Sequence, residues 1–433
     1  MTVAVGKTGS PDAEQTPVPA KSADQIKRLI ARRQEQVKRS WARLLKSDVI
    51  PSIDFKDIQA APRSFQNELR KRGVAVIRGV VPEEEARAYK KEIEAYFPAN
   101  PIFELYWSKP QMRAHLHPNM AETQRFLMSF WQSHAADAKV SPIHPLTYAD
   151  RVRIRQPGDA GFALGAHVDG GSGERWEDNG YGLGDVDQRI WEGRWEEYDP
   201  WEASCCVPAV ADRYNGAGAC SMFRMFQGWL GISHVGPKEG TLLVNPILSM
   251  ATAYYLLRPF FEPISKPPSG GSRLSRDTPS SKLEGATPGF SQELNDILHP
   301  HMELEKTMVH VPQIVPGDYV AWHCDTIHSV DEVHQEKGDS SVLCIPACPV
   351  TEANMDYVPR QKQDFLAGVP PPNFPGGKGE SEHVGRTTEE DLRNFTNEEG
   401  LKSFGFAKWD AQENNLNQGQ RWVLEESNRI LGL

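Results

Sequence analysis

Long apolar runs are missing from this chain. No stretch approaches the roughly 18 consecutive apolar residues that a membrane span needs, so no transmembrane helix is expected. Cysteine is scarce: Cys205, Cys206, Cys220, Cys324, Cys344 and Cys348 are the six in 433 residues. That density is too low for a disulfide framework, and no C-x-x-C pair is present to suggest structural zinc. Basic blocks are also lacking. With 48 Lys and Arg against 58 Asp and Glu the net charge is −10, which argues against a nucleic-acid or anionic-membrane partner. Residues 1–23 are rich in Thr, Pro, Ser and Ala and have no apolar segment of the secretory-signal type. The expectation is a disordered tail over residues 1–21 of a cytoplasmic protein. Ser172 lacks a G-x-S-x-G frame, so a hydrolase triad has no support.

What is present supports a large packed core. Hydrophobic residues make up 39% of the chain, with 17 Phe, 11 Tyr and 11 Trp. From Ser22, with Gln25 completing a capping box, apolar residues recur at helical spacing up to Pro51. Residues 73–81, Gly-Val-Ala-Val-Ile-Arg-Gly-Val-Val, read as a strand. Pro82 and Glu83–Glu85 then open a helix whose stripe is Ala86, Tyr89, Ile93 and Phe97. Eight short strands separated by Gly and Pro turns follow, over 151–156, 162–169, 222–233, 240–245, 307–314, 319–324, 328–333 and 341–346. Residues 170–218 and 261–289 read as inserts, and helices are expected over 388–397 and 418–430. No internal repeat is visible. The fold class expected is mainly β with peripheral helices, the strands forming a sandwich or barrel. The expected organisation is a single domain over 22–433. Its parts are a helical portion 22–146, a β core 147–350 and a helical extension 351–433.

The sharpest chemical feature is His167-Val168-Asp169. Side chains alternate along a strand, so this imidazole and carboxylate share a face and can reach one metal ion. The second element is Pro316-Gly317-Asp318, an apolar strand, and then His328, ten residues after Asp318. Together these make a two-histidine-one-carboxylate set, which leaves open positions on Fe(II). His323 competes with His328 for the third place.

The order of these elements resembles the double-stranded β-helix (jelly-roll, cupin-like) oxygenases that use iron and 2-oxoglutarate, in particular their phytanoyl-CoA hydroxylase branch. Trp229-Leu230-Gly231-Ile232-Ser233 and Gly240-Thr241-Leu242-Leu243-Val244 are similar to that branch's central strand pair. A closer likeness, over roughly residue 21 to the end, is to a domain-of-unknown-function family of fungi and bacteria. It is carried by Arg153-Ile154-Arg155-Gln156-Pro157-Gly158, by Arg175-Trp176-Glu177-Asp178 and by Tyr198-Asp199-Pro200-Trp201. That family includes fungal enzymes that close valine to an aziridine amino acid.

The resemblance implies a non-heme dioxygenase of secondary metabolism, holding Fe(II) through His167, Asp169 and His328. It implies 2-oxoglutarate and O₂ as co-substrates, decarboxylation to succinate and CO₂, and oxidation of a small molecule by hydroxylation, desaturation or C–N closure. The pattern departs from the superfamily in two places. The first histidine and the last are 161 residues apart, and residues 329–349 contain no Arg to hold the far carboxylate of 2-oxoglutarate. Arg155, Arg224, Gln227 and Arg360 are the candidates for that task. Arg175 and Trp176, just past the metal carboxylate, are candidates for substrate contact. The missing Arg also keeps open a cupin-type metal enzyme that does not use 2-oxoglutarate, and a non-catalytic binding module on the same scaffold is the remaining alternative. His115 and His117, the tryptophans Trp191, Trp195 and Trp201, and the Cys205-Cys206 pair are read as structural.

Overall fold

The computed structural model describes residues 49–96, 105–160, 164–169, 176, 188–210, 212–214, 220–260, 262–263, 274–275, 283–287, 289–335, 337–374 and 376–433. The expected tail over 1–21, the helix after Ser22, and Phe97, Ser172 and Arg175 lie outside these residues. The expectation of a mainly β chain needs correction. Helix makes up 37% and strand 17%, so the fold is mixed α/β with several sheets.

The strands run in chain order as β1 Ser52–Asp54, β2 Val74–Arg78, β3 Val140–Leu146, β4 Val152–Arg155, β5 His167–Val168, β6 Phe226–Gly231 and β7 Leu242–Val244. They continue as β8 Glu262–Pro263, β9 Leu274–Ser275, β10 Gln292–Glu293, β11 Val309–His310, β12 Tyr319–His323, β13 His328–Val330, β14 Ser340–Cys344 and β15 Cys348–Thr351. One sheet has the order β1-β2-β12-β6-β14-β4 and a second the order β10-β5-β13-β7-β11. Each of the eight expected strands overlaps an observed one, and all but the last, which begins one residue earlier at Ser340, contain it. Strands β1, β3, β8, β9, β10 and β15 were not anticipated. The supposedly helical portion before residue 146 therefore carries three strands, and β3 pairs with β15.

Helix was under-read for a physical reason. Leu248–Leu257 is buried nearly all round, so it lacks the polar face that makes helical periodicity visible. The helix Glu352–Ala367, within the expected helical extension, runs on through Pro359, a residue that usually breaks a helix. The two C-terminal helices are seen at Glu389–Phe395 and Gln418–Leu431, each opened by a capping box.

The two large sheets share a core. Val74, Val76, Trp229, Val320 and Trp322 from the first pack in one cluster with Leu242 and Val244 from the second and with Val311 just past β11. Between residues 152 and 344 the chain crosses repeatedly from sheet to sheet: β4 and β6 in the first, β5 and β7 in the second, then β12 back, β13 across and β14 back. Strand β12 is buried at every position because it lies between β2 and β6.

The turn before β12 explains Pro316-Gly317-Asp318. Gly317 has φ +94°, and a Cβ there would sit 2.0 Å from the Val81 carbonyl oxygen, so only glycine fits. Asp318, 1% exposed, accepts from Arg78 Nη1 at 2.6 Å, Gly79 N at 2.9 Å and Val315 N at 3.1 Å. This buried carboxylate fixes where β12 begins, and so where the chain re-emerges at His328.

A second buried carboxylate ties the C-terminal region to the N-terminal helices. Glu380, fully buried, accepts from Tyr106 N at 2.8 Å and Trp107 N at 2.6 Å through one oxygen. Burial pushes its pKa up from 4.5 to about 7, against the two backbone donors and Arg386. The folded protein therefore holds the proton more tightly than the unfolded chain. The favourable contribution is complete below pH 4.5 and is lost as pH rises towards 7, by about 3 kcal/mol in all. Denaturant unfolding at pH 5 and pH 8 checks this: Glu380→Gln is expected to flatten the pH dependence, and an unchanged slope would refute the assignment.

Candidate metal centre

Strands β5 and β13 are antiparallel neighbours, with His167 the partner of His328 across the pair. Directly opposed residues project to the same face. The two imidazoles accordingly stand side by side, ring centroids 4.2 Å apart at 50°. Asp169, two residues beyond His167, returns to that face by the period of the strand. Its Oδ1 lies 3.3 Å from His167 Nε2 and its Oδ2 lies 3.6 Å from His328 Nε2. One ligand atom from each of the three residues falls within 4.8 Å of the others.

Backbone carbonyls set the tautomers. His167 Nδ1 is 2.7 Å from Gly165 O, and His328 Nδ1 is 3.0 Å from Thr326 O. A carbonyl oxygen only accepts, so each Nδ1 carries hydrogen and each Nε2 is left for the centre, where it donates to Asp169 when protonated and offers a lone pair to a cation when neutral. Ser291 Oγ donates to Asp169 Oδ1 at 3.3 Å, placed there by the pairing of β10 with β5. Burial raises the cost of charge on Asp169, but hydrogen bonds from His167 and His328 hold its pKa well below the usual carboxylate range. For His328, burial and the neighbouring His167 lower the pKa, against Asp169. For His167 burial is outweighed by the hydrogen bond and charge of Asp169, and the pKa rises. An ionised carboxylate and a neutral imidazole are what a divalent cation needs. The donor set of two nitrogens and one oxygen suits Fe(II) or a similar first-row metal.

The cluster opens onto a cavity of about 280 Å³ between the sheets, whose wall includes Arg151, Arg153, Arg155, Arg224, Gln227, Trp229 and Trp322. Arg155 is 1% exposed and donates through its terminal nitrogens to Asp331 O and Asp159 O, both at 2.8 Å. Arg224 lies over the Tyr148 ring at 5.9 Å. Arg153 shares the inner face of β4 with Arg155 and was missed in sequence. The alternation of that strand was the signal that could have found it.

Arg360 is a different case. It is exposed on the helix Glu352–Ala367, over its own neighbour Tyr357 at 5.5 Å, and it does not line the cavity. Trp176 packs against Tyr255 at 5.9 Å instead of facing the cavity. Both were expected at the site, and neither lines the described wall of this cavity.

His323 faces away from the centre. Its Nε2 donates to Pro200 O at 2.8 Å, its Nδ1 accepts from Asp325 N at 3.0 Å, and its ring stacks on Trp131 at 4.5 Å and 7°. His323, Cys324 and Asp325 are close enough to hold an ion, but both ring nitrogens of His323 are committed to the backbone. His117 caps the helix Pro118–Met128 by accepting from Asn119 N. Burial pushes the His115 pKa down to about 4. Trp195 and Trp201 lie in the main core, with Trp191 packed against it. Cys206 is buried and its thiol meets Glu202 O at 3.4 Å.

A fold of two facing sheets with a two-histidine-one-carboxylate cluster in the cavity between them defines the class of this protein. Comparison with known proteins gives the family. The Gig2-like family profile matches residues 13–406, and the chain belongs to that family. The Escherichia coli K12 protein YbiU is 32% identical over 370 residues, 79% of this chain and 83% of that protein. The crystal structure of GIG2, the GlcNAc-inducible gene 2 product of Candida albicans, superposes with a TM-score of 0.85 at 28% identity, covering 96% of this chain and 92% of that one. A Salmonella typhimurium LT2 protein whose name proposes an oxidoreductase superposes at 0.76 with 31% identity, covering 89% of this chain and 94% of that one. No helix of the described residues is long and apolar enough to cross a membrane.

Metal binding separates the two candidate histidines. His328→Ala is expected to weaken Fe(II) or Mn(II) binding by more than the roughly 10–100-fold that a change outside the ligand set costs. His323→Ala is expected to keep metal affinity within a few-fold and to cost about 2–4 kcal/mol of stability through its lost packing and hydrogen bonds. Metal titration with a parallel denaturant melt checks both, and a reversed pattern moves the ligand to His323.

Proposed function

We propose that this protein is a mononuclear Fe(II) oxygenase that consumes 2-oxoglutarate and O₂ while oxidising a small molecule. The observation that carries the reading is the convergence of His167, Asp169 and His328, each imidazole held by a carbonyl so that Nε2 faces inward. The repeated crossing of the chain between the sheets supports a double-stranded β-helix core within a single domain over 22–433. The oxidoreductase named in Salmonella is consistent with this class.

When bound, the iron supplies the oxidising power, coupled to decarboxylation of 2-oxoglutarate to succinate and CO₂. The residues of this chain supply the rest. His167, Asp169 and His328 would hold the metal and, being only three ligands, would leave positions open to co-substrate. Ser291 and the Gly165 and Thr326 carbonyls hold those side chains in place. Trp229 and Trp322 supply apolar surface on the wall of the cavity.

The far carboxylate of 2-oxoglutarate falls to Arg153. Strand β14, which follows β13, has no arginine, but β4 pairs with it so that Arg153 stands opposite Val342 and Arg155 opposite Ser340. Arg155 has spent its terminal nitrogens on backbone carbonyls, whereas Arg153 has no hydrogen bond or ion pair among the described residues. A guanidinium from the neighbouring strand thus answers the missing Arg after His328, which was the best support for a cupin-type enzyme without 2-oxoglutarate. The substrate is proposed as a small molecule, with an amino acid such as valine and closure to an aziridine as one specific version.

Succinate formation tests the proposal. With Fe(II), 2-oxoglutarate and air, the wild-type protein is expected to form succinate, and His328→Ala to form none. Arg153→Leu is expected to raise the KM for 2-oxoglutarate about 10–100-fold, the worth of a charge-assisted hydrogen bond, with Fe(II) binding retained. A wild-type protein that binds Fe(II) but consumes no 2-oxoglutarate with any acid, amine or amino acid offered would sink the reading.

A further inference from the structure

The charge of the cavity wall is opposite to that of the protein. Among the described lining residues four are arginines, Arg151, Arg153, Arg155 and Arg224, against two carboxylates, Asp150 and Asp169, in a chain of net charge −10. Two of the arginines are engaged. Arg151 pairs with Asp150 at 3.4 Å and lies over Phe374 at 4.6 Å, and Arg155 clamps the backbone at Asp159 and Asp331. Arg153 and Arg224 have neither a hydrogen bond nor an ion pair among the described residues. Both flank the metal cluster: the charge of Arg153 reaches His167 and that of Arg224 reaches Asp169.

Neutral groups on the wall point the same way. Trp322 is 7% exposed, its ring centroid is 5.1 Å from that of His328, and its Nε1–H has no acceptor. Gln227, the cross-strand partner of Trp322, is buried and its side-chain amide has no partner. The Gln227 amide, on the cavity wall, is therefore available to a bound oxygen. One co-substrate carboxylate engages one guanidinium fork. A second unpaired guanidinium on the same cavity wall leaves room for a second anion.

We propose that the primary substrate is itself a carboxylic acid, its carboxylate held by Arg224 with help from the amide of Gln227. This rests on the reading that Arg153 takes the co-substrate. The remainder of the acid lies against Trp229 and, at the mouth, against Phe290, an aromatic ring left 64% exposed. Arg224 then sets specificity: an amide of the same shape cannot accept two parallel N–H bonds with a full negative charge.

The test uses matched acids and primary amides, namely 2-methylpropanoate, pentanoate and phenylacetate with their amides. Each is titrated calorimetrically into anaerobic Fe(II)-loaded protein with and without 2-oxoglutarate. At least one acid is expected to bind 10-fold or more tighter than its amide. Arg224→Gln is expected to bring that acid down to the affinity of its amide, while the visible band of the Fe(II)–2-oxoglutarate complex persists. Arg153→Leu is expected to do the reverse, weakening the band and sparing the preference for acid. Equal binding of acid and amide, no binding by any acid, or loss of the band in Arg224→Gln would each overturn the proposal. If the wild-type protein shows no band, the co-substrate reading fails, and the acid-against-amide comparison without 2-oxoglutarate still decides the role of Arg224.

Discussion

The cavity is organised around a single cross-strand pairing, His167 opposite His328, between residues 161 positions apart in the chain. A slip of one residue in either strand would turn one imidazole to the other face, because side chains alternate with a period of two. The pairing is held from both sides. β10 fixes β5 from one edge, β7 holds β13 from the other, and Asp318 anchors the turn that opens the preceding strand. The separation in sequence is therefore no obstacle to a compact cluster.

The cluster also illustrates how a binding site is kept ready at a cost to stability. Two imidazoles with centroids 4.2 Å apart beside one carboxylate form a crowded arrangement in a partly buried place. Burial opposes charge on each of the three, and only their mutual hydrogen bonds keep Asp169 ionised. The carbonyls of Gly165 and Thr326 remove the freedom of the rings to turn over, so a cation meets lone pairs already aimed. His323 shows the contrasting arrangement. It lies on the neighbouring strand of the chain but spends both nitrogens on the backbone and its ring on Trp131, which makes it part of the core.

Charge is distributed on two scales. The protein as a whole is acidic, while the described wall of the cavity carries four guanidinium groups. Such a local inversion favours entry and orientation of anions without making the outer surface attractive to nucleic acid. The strand register produces part of this inversion. Arg153 and Arg155 both lie on the inner face of β4, and one of them is consumed by the loop around Asp331 while the other is left open.

The sequence by itself determined the local chemistry: His167 and Asp169 on one strand face, the Pro316-Gly317-Asp318 turn, the alternation that marks eight of the strands, and the capped C-terminal helices. Each of these depends on residues within a few positions of one another, where backbone periodicity suffices. Tertiary structure alone decided the rest. It brought His328, the histidine that the resemblance implies, beside Asp169 and turned His323 away, placed Arg153 and Arg224 on the cavity wall and Arg360 on the outside, and revealed the almost wholly buried helix Leu248–Leu257. These depend on which strands become neighbours and which faces are covered. A periodic pattern cannot express that, because a helix buried nearly all round has no polar face to reveal it and an arginine on a strand reads the same whether its partner is a carbonyl, a carboxylate or an empty cavity.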